Sequence, residues 1–278
     1  MVMLMSNLDI TYNAIDSNEE FQKNPELRKV VNILKETIDK FHKCFPEISL
    51  DNFNERIKTL HIERSKYGVR ASKTFHFIEL DNKISMPAEI YDEQEFKDEV
   101  TKNQFIHEVI AIISSKPGFF HHGFNIDNNN ELRALNIGVT QLIVNTLFGT
   151  PTKEDEDEDM TVEQALALTK EALESKFKNT RAQICKDYAD KVFQGLGLTA
   201  DEVLEAYFTN NPTIINEKID ANINKTGIRN NIREMGNSCW NNNLSEMEEQ
   251  FNRISIFFPV TRKQNDIETL EEETVKKI

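Results

Sequence analysis

Apolar positions change period twice along the chain, and the changes mark out its elements. Between residues 17 and 45, Val30, Val31, Leu34, Ile38 and Phe41 recur at three- and four-residue spacing, the period of one helix face. Ser17 and Glu20 stand where a capping box would open that helix, and Phe45-Pro46 ends it. The period then drops to two over Thr59-Leu60-His61-Ile62-Glu63 and again over Thr74 to Leu80, followed by Lys83-Ile84-Ser85-Met86. Such alternation predicts half-buried strands, and the Asp81-Asn82 pair suits a hairpin between the last two. His61 and His76 fall at strand positions that read as cross-strand surface sites rather than ligands.

From Phe105 the pattern becomes almost wholly apolar, FIHEVIAII, which predicts a buried helix led in by the polar stretch Asp92 to Val100. A second apolar helix is expected over about 131–148, closed by Gly149-Thr150-Pro151-Thr152. Six consecutive acids, Glu154 to Asp159, follow. The run lacks the glycine and alternating ligand spacing of a calcium-binding loop, so it reads as a solvated linker. It divides the chain into an N-terminal lobe, residues 1–150, and a helical C-terminal lobe, residues 151–278. In the latter, Thr161 with Gln164, Thr199 with Glu202 and Ser245 with Glu248 have capping-box spacing. Ile184, Tyr188, Val192 and Leu196 form a stripe that Gly195 and Gly197 end. The Asn-rich segment Asn222 to Asn243 predicts loop and short helix. A last helix should run to about Phe257, before Pro259 and a charged tail. The expected fold class is α+β: a small twisted sheet with two apolar helices, then a helical lobe.

The 278 residues are ample for a sizeable core, and 38% hydrophobic with 29% charged residues fits a globular protein. A net charge of −14 argues against nucleic acid or an anionic membrane surface as the main partner. No run reaches the roughly 18 apolar residues of a membrane span. The N-terminus, MVMLMSNLDI, has no basic n-region or cleavage site. Cys44, Cys185 and Cys239 are odd in number and widely spaced, which suits a reducing compartment. A cytoplasmic location is the expectation.

Candidate chemistry sits on the two apolar helices. His107-Glu108 lies in the first, and Leu135-Asn136-Ile137-Gly138 lies in the second. This pair of segments resembles the gluzincin branch of the zincin metallopeptidases, in which one helix carries H-E-x-x-H and the next an N-E-G-type segment. The order of sheet, His-Glu helix and second helix extends the resemblance. The stretch YADKVFQGLGLTADEVLEAYFTNNPTIINEKID is similar to the helical C-terminal part of bacterial gluzincin-like proteins. The resemblance implies a zincin-like fold in which His107 is a metal ligand position and Glu108 the general-base position. The second histidine position is Ala111, and the glutamate position is Ile137, which should point at the same spot as His107.

Two of three protein ligands are therefore missing. A methyl and a butyl side chain offer no lone pair, and one imidazole cannot hold catalytic zinc by itself. Without zinc no water is acidified, so Glu108 has nothing useful to deprotonate. The resulting expectation is a catalytically inactive zincin-like protein with no cofactor, whose cleft binds a protein or peptide. One alternative is a working metallohydrolase in which His107 joins His121 or His122 and an acid such as Glu131 around zinc, although neighbouring histidines do not share a face. The aromatic loop from Lys116 to Phe124 is expected to cover the cleft instead. The other alternative is an unrelated α+β interaction protein.

Overall fold

The computed structural model describes residues 7–64, 76–78, 81–87, 91, 99–116, 122–124, 130–148 and 170–258. His121, the acidic run Glu154 to Asp159, the cap at Thr161 and the tail beyond residue 258 lie outside the described residues. Among the described residues the fold is mixed α+β, predominantly helical with one three-stranded sheet. Its elements are α1 (Asn7–Asp16), α2 (Glu19–Lys23), α3 (Arg28–Cys44), α4 (Asp51–Ile57), β1 (His61–Arg64), β2 (His76–Ile78), β3 (Lys83–Met86) and α5 (Glu99–Ile113). They continue as α6 (Arg133–Phe148), α7 (Lys170–Leu196), α8 (Ala200–Phe208), α9 (Thr213–Ala221), α10 (Lys225–Trp240) and α11 (Leu244–Phe257). Contacts divide the chain into two compact units, the first of Met1–Phe119 with Leu147–Asn179 and the second of Phe120–Thr146 with Thr180–Ile278. Among the described residues, no helix is long and apolar enough to cross a membrane.

In the first unit the strand order is β1-β3-β2, with β1 parallel to β3 and β2 antiparallel to it. The register places Ile62 and Phe77 opposite Ile84, so these alternate positions share one buried face. Asn82, in the predicted turn, takes a left-handed φ of 46° that asparagine tolerates. Its side-chain amide donates to the Arg56 carbonyl at 2.7 Å, fixing the hairpin against α4. Val30, Leu34, Ile38 and Phe41 of α3 are all buried, as the spacing predicts. α5 packs against α3, α4 and β2, and from Phe105 to Ser115 only His107 escapes full burial. Each such Ile or Phe contributes roughly 1.5–3 kcal/mol relative to leaving it exposed.

Several local expectations are corrected. The stretch 17–45 is not one helix, because Pro25 interrupts it as a short 3-10 turn between α2 and α3. The cap of α2 is Asn18, not Ser17: its Oδ1 accepts from the Glu20 and Phe21 amides. The Asn18 amide group also donates to the Ile57 and Leu60 carbonyls, a tertiary link that the serine at 17 does not make. Ser17 instead donates to the Ala14 carbonyl, at the end of the unexpected helix α1.

In the second unit, Thr199 and Glu202 do form a capping box at the start of α8. α7 ends in a Schellman turn, with Gly197 at a φ of 67° and the Leu198 amide donating to the Phe193 carbonyl at 2.9 Å. Of the expected stripe of α7, Tyr188, Val192 and Leu196 are buried, joined by Ala182, Cys185, Ala189 and Phe193, with Ile184 only half-buried at its margin. The Asn-rich segment, expected as loop with a short helix, is a 16-residue helix between turns. Ile228, Ile232, Met235 and Cys239 of α10 are wholly buried, a four-three-four stripe whose packing overrides the poor helix propensity of the asparagines around it. The cap of α11 is Asn243 rather than Ser245, because the chain enters the helix two residues earlier, after the left-handed Asn242.

Candidate functional site

α5 carries His107, Glu108 and Ala111 in the first unit. Positions 107 and 111 are one turn apart and share a face. His107 is half-buried, and the Ala111 methyl is buried at 4% exposure. Glu108 is buried, and its Oε2 accepts the backbone N–H of Phe77 at 2.9 Å. That amide points away from β3, so the carboxylate satisfies a donor on the outer side of β2 for which no strand is described. β1 is treated the same way. There the Glu20 carboxylate accepts the Ile62 amide at 2.8 Å through one oxygen and meets the exposed His61 ring with the other. Both outer strands are thus held by a glutamate from a helix. Arg56, only 3% exposed, lies over the Phe77 ring with its guanidinium 5.4 Å from the centroid and donates to the Lys116 carbonyl, three residues beyond the end of α5.

Ile137, His122 and Glu131 belong to the second unit. Ile137 is half-buried on α6, between two residues whose work is structural. The Asn136 Oδ1 accepts the Phe124 amide at 2.8 Å. Gly138 leaves room for α7: a Cβ there would stand 2.3 Å from the Cys185 carbonyl oxygen. His122 is half-buried, and the residues after it are clamped. The Asn210 amide donates to the Gly123 carbonyl at 2.9 Å, and Phe124 packs edge-on to Tyr207. The Tyr207 hydroxyl lies 2.7 Å from the Thr140 hydroxyl of α6. Gly123 has a φ of 56°, and a Cβ there would meet Asn136 and the Tyr207 ring, so glycine is needed twice over. Glu131 faces the Arg229 guanidinium at 3.6 Å. Among the described residues no three His, Cys, Asp or Glu side chains gather as a metal site.

One pair escapes the sequence reading entirely. Cys185 of α7 and Cys239 in the last turn of α10 are both wholly buried with sulfurs 3.8 Å apart. Burial pushes the Cys185 thiol well up, whereas the hydrogen bond from Cys185 holds Cys239 down at about 7, aided by the charges of Arg181 and Arg133. Arg133 also stacks over the exposed Trp240 ring at 4.2 Å, and Arg181 donates to the Asn242 side chain at 2.7 Å. Separated by 54 residues, the two thiols leave no spacing signal to find.

Compared with known proteins, the chain matches no protein-family model, no curated protein and no solved structure.

Proposed function

We propose that this chain is a zincin-like protein that has lost its metal centre and acts, in the cytoplasm, as a binding or regulatory partner of a protein or peptide without hydrolysing it. The observation that carries the reading is the position of Glu108. Its carboxylate is buried and held on the Phe77 amide of β2, so the residue at the general-base position serves the sheet. One turn from His107, the ligand position holds a buried methyl. A general base needs a polarised water within hydrogen-bond reach, and a methyl cannot help to bind the metal that would polarise one. The order of a small sheet followed by the His-Glu helix supports the same reading.

The test is metal content and hydrolysis on the full chain purified without chelator. Less than a tenth of an equivalent of zinc is expected, by order of magnitude, together with identical background hydrolysis of a mixed fluorogenic peptide pool by the native protein and Glu108→Gln. About one equivalent of zinc that disappears in His107→Ala, with hydrolysis that disappears in Glu108→Gln, would replace this reading with a metallohydrolase of unusual ligands.

A further inference from the structure

We infer that Cys185 and Cys239 form a peroxide-responsive dithiol, closing to a disulfide that ties α7 to α10. Their sulfurs are 3.8 Å apart, so a bond of about 2.05 Å requires an approach of about 1.8 Å. The two helices are already held together nearby, where the Tyr188 hydroxyl donates to the Asn231 side chain at 2.7 Å. That Asn231 amide group in turn donates to Gln250 of α11, which keeps the approach local. Most buried cysteines are inert because an apolar surround suppresses the thiolate. This pair differs: each thiol has the other for a hydrogen-bond partner, and Arg133 and Arg181 supply positive charge.

Complete burial selects the oxidant. A bulky disulfide such as oxidised glutathione has no route to a sulfur with no exposed surface, whereas hydrogen peroxide is close to water in size. Cys239 is one residue from the exposed Trp240, at the end of its helix, so opening of the last turn suffices for entry. Cys239 is the attacking sulfur, because its thiolate is the one favoured by the neighbouring thiol. Its sulfur takes one oxygen of the peroxide; the S–O bond forms, the O–O bond breaks, and the departing hydroxide is protonated to water. Cys185 then attacks the sulfenic sulfur; the S–S bond forms, the S–O bond breaks, and hydroxide leaves with the Cys185 proton as a second water. Two thiols and one peroxide become one disulfide and two waters.

The test uses the full reduced chain and hydrogen peroxide as the probe, with thiol titration after denaturation and peptide mapping. Of three free thiols, two should be lost and one kept, the survivor being Cys44, and dithiothreitol should restore all three. The map should show a single 185–239 cross-link. Cys185→Ser should stop at a dimedone-reactive sulfenic acid on Cys239, whereas Cys239→Ser should leave Cys185 unmodified. Mapping of the native chain decides the matter even if neither variant folds. Loss of all three thiols to higher oxides, a cross-link involving Cys44, or an unreacted native pair would overturn the proposal. So would a Cys239→Ser chain whose Cys185 still forms sulfenic acid.

Discussion

Replacing Gly138 by alanine sets two known effects against each other, and the geometry says which wins. An interior helical glycine costs about 1 kcal/mol relative to alanine, so propensity alone favours the variant. Packing opposes it. The new Cβ would lie 2.3 Å from the Cys185 carbonyl oxygen, 2.6 Å from the Ala189 Cβ and 2.9 Å from the Cys185 carbonyl carbon. Against a normal separation of about 3.5 Å, the closest contact falls short by about 1.2 Å. Two of the three obstructing atoms are backbone, so no rotamer change relieves them; α6 and α7 must move apart or bend. Overpacking of this kind costs roughly 1–3 kcal/mol, and a backbone obstruction places it at the upper end. The net expectation is destabilisation by about 2 kcal/mol, read as a lower urea midpoint with an unchanged denaturant slope. A Gly138→Ala chain as stable as the native one would refute the close approach of α6 to α7, and with it the structural account of this glycine.

Four further outcomes follow from the same contacts. Glu108→Ala should cost about 2 kcal/mol by stripping a buried amide of its charge-assisted acceptor, and Glu108→Gln about half that; equal urea midpoints for the native chain and Glu108→Ala would remove the sheet-holding role. Asn136→Ala should cost about 1–3 kcal/mol by leaving the Phe124 amide buried without its acceptor, measured the same way. The peroxide oxidation rate should be flat above the Cys239 value of about 7 and fall about tenfold per pH unit below it. The sign follows from the groups facing that sulfur: the Cys185 thiol of α7 with Arg181 of α7 and Arg133 of α6 favours the anion, and burial opposes it without reversing it. A stopped-flow profile still climbing above about pH 8 would contradict it. Finally, closing a 54-residue loop should stabilise the oxidised chain by about 4 kcal/mol in the chain-entropy account, less any strain, visible as a higher urea midpoint that dithiothreitol abolishes.

What the sequence determined by itself was whatever depends on near neighbours. The period-two pattern located β1 to β3, the helical period located the core of α3, and the apolar runs located α5 and α6. Hydrogen bonds that close within one turn made the box at Thr199 and the glycine stop at Gly197 legible as well. Ser17, Ser245 and the asparagines of α10 misled the same reasoning because their outcome is decided elsewhere. Asn18 won the cap of α2 while also holding the turn after α4, and the buried stripe of α10 outweighed the local cost of its polar residues. Only the tertiary structure could show that Glu108 holds the outer side of β2, that Asn136 and Gly138 serve packing, and that Cys185 meets Cys239. Each of these is a contact between residues far apart in the chain. Such contacts leave no periodicity, since what selects a carboxylate at 108 is an amide 31 residues earlier and what selects a thiol at 185 is a sulfur 54 residues later.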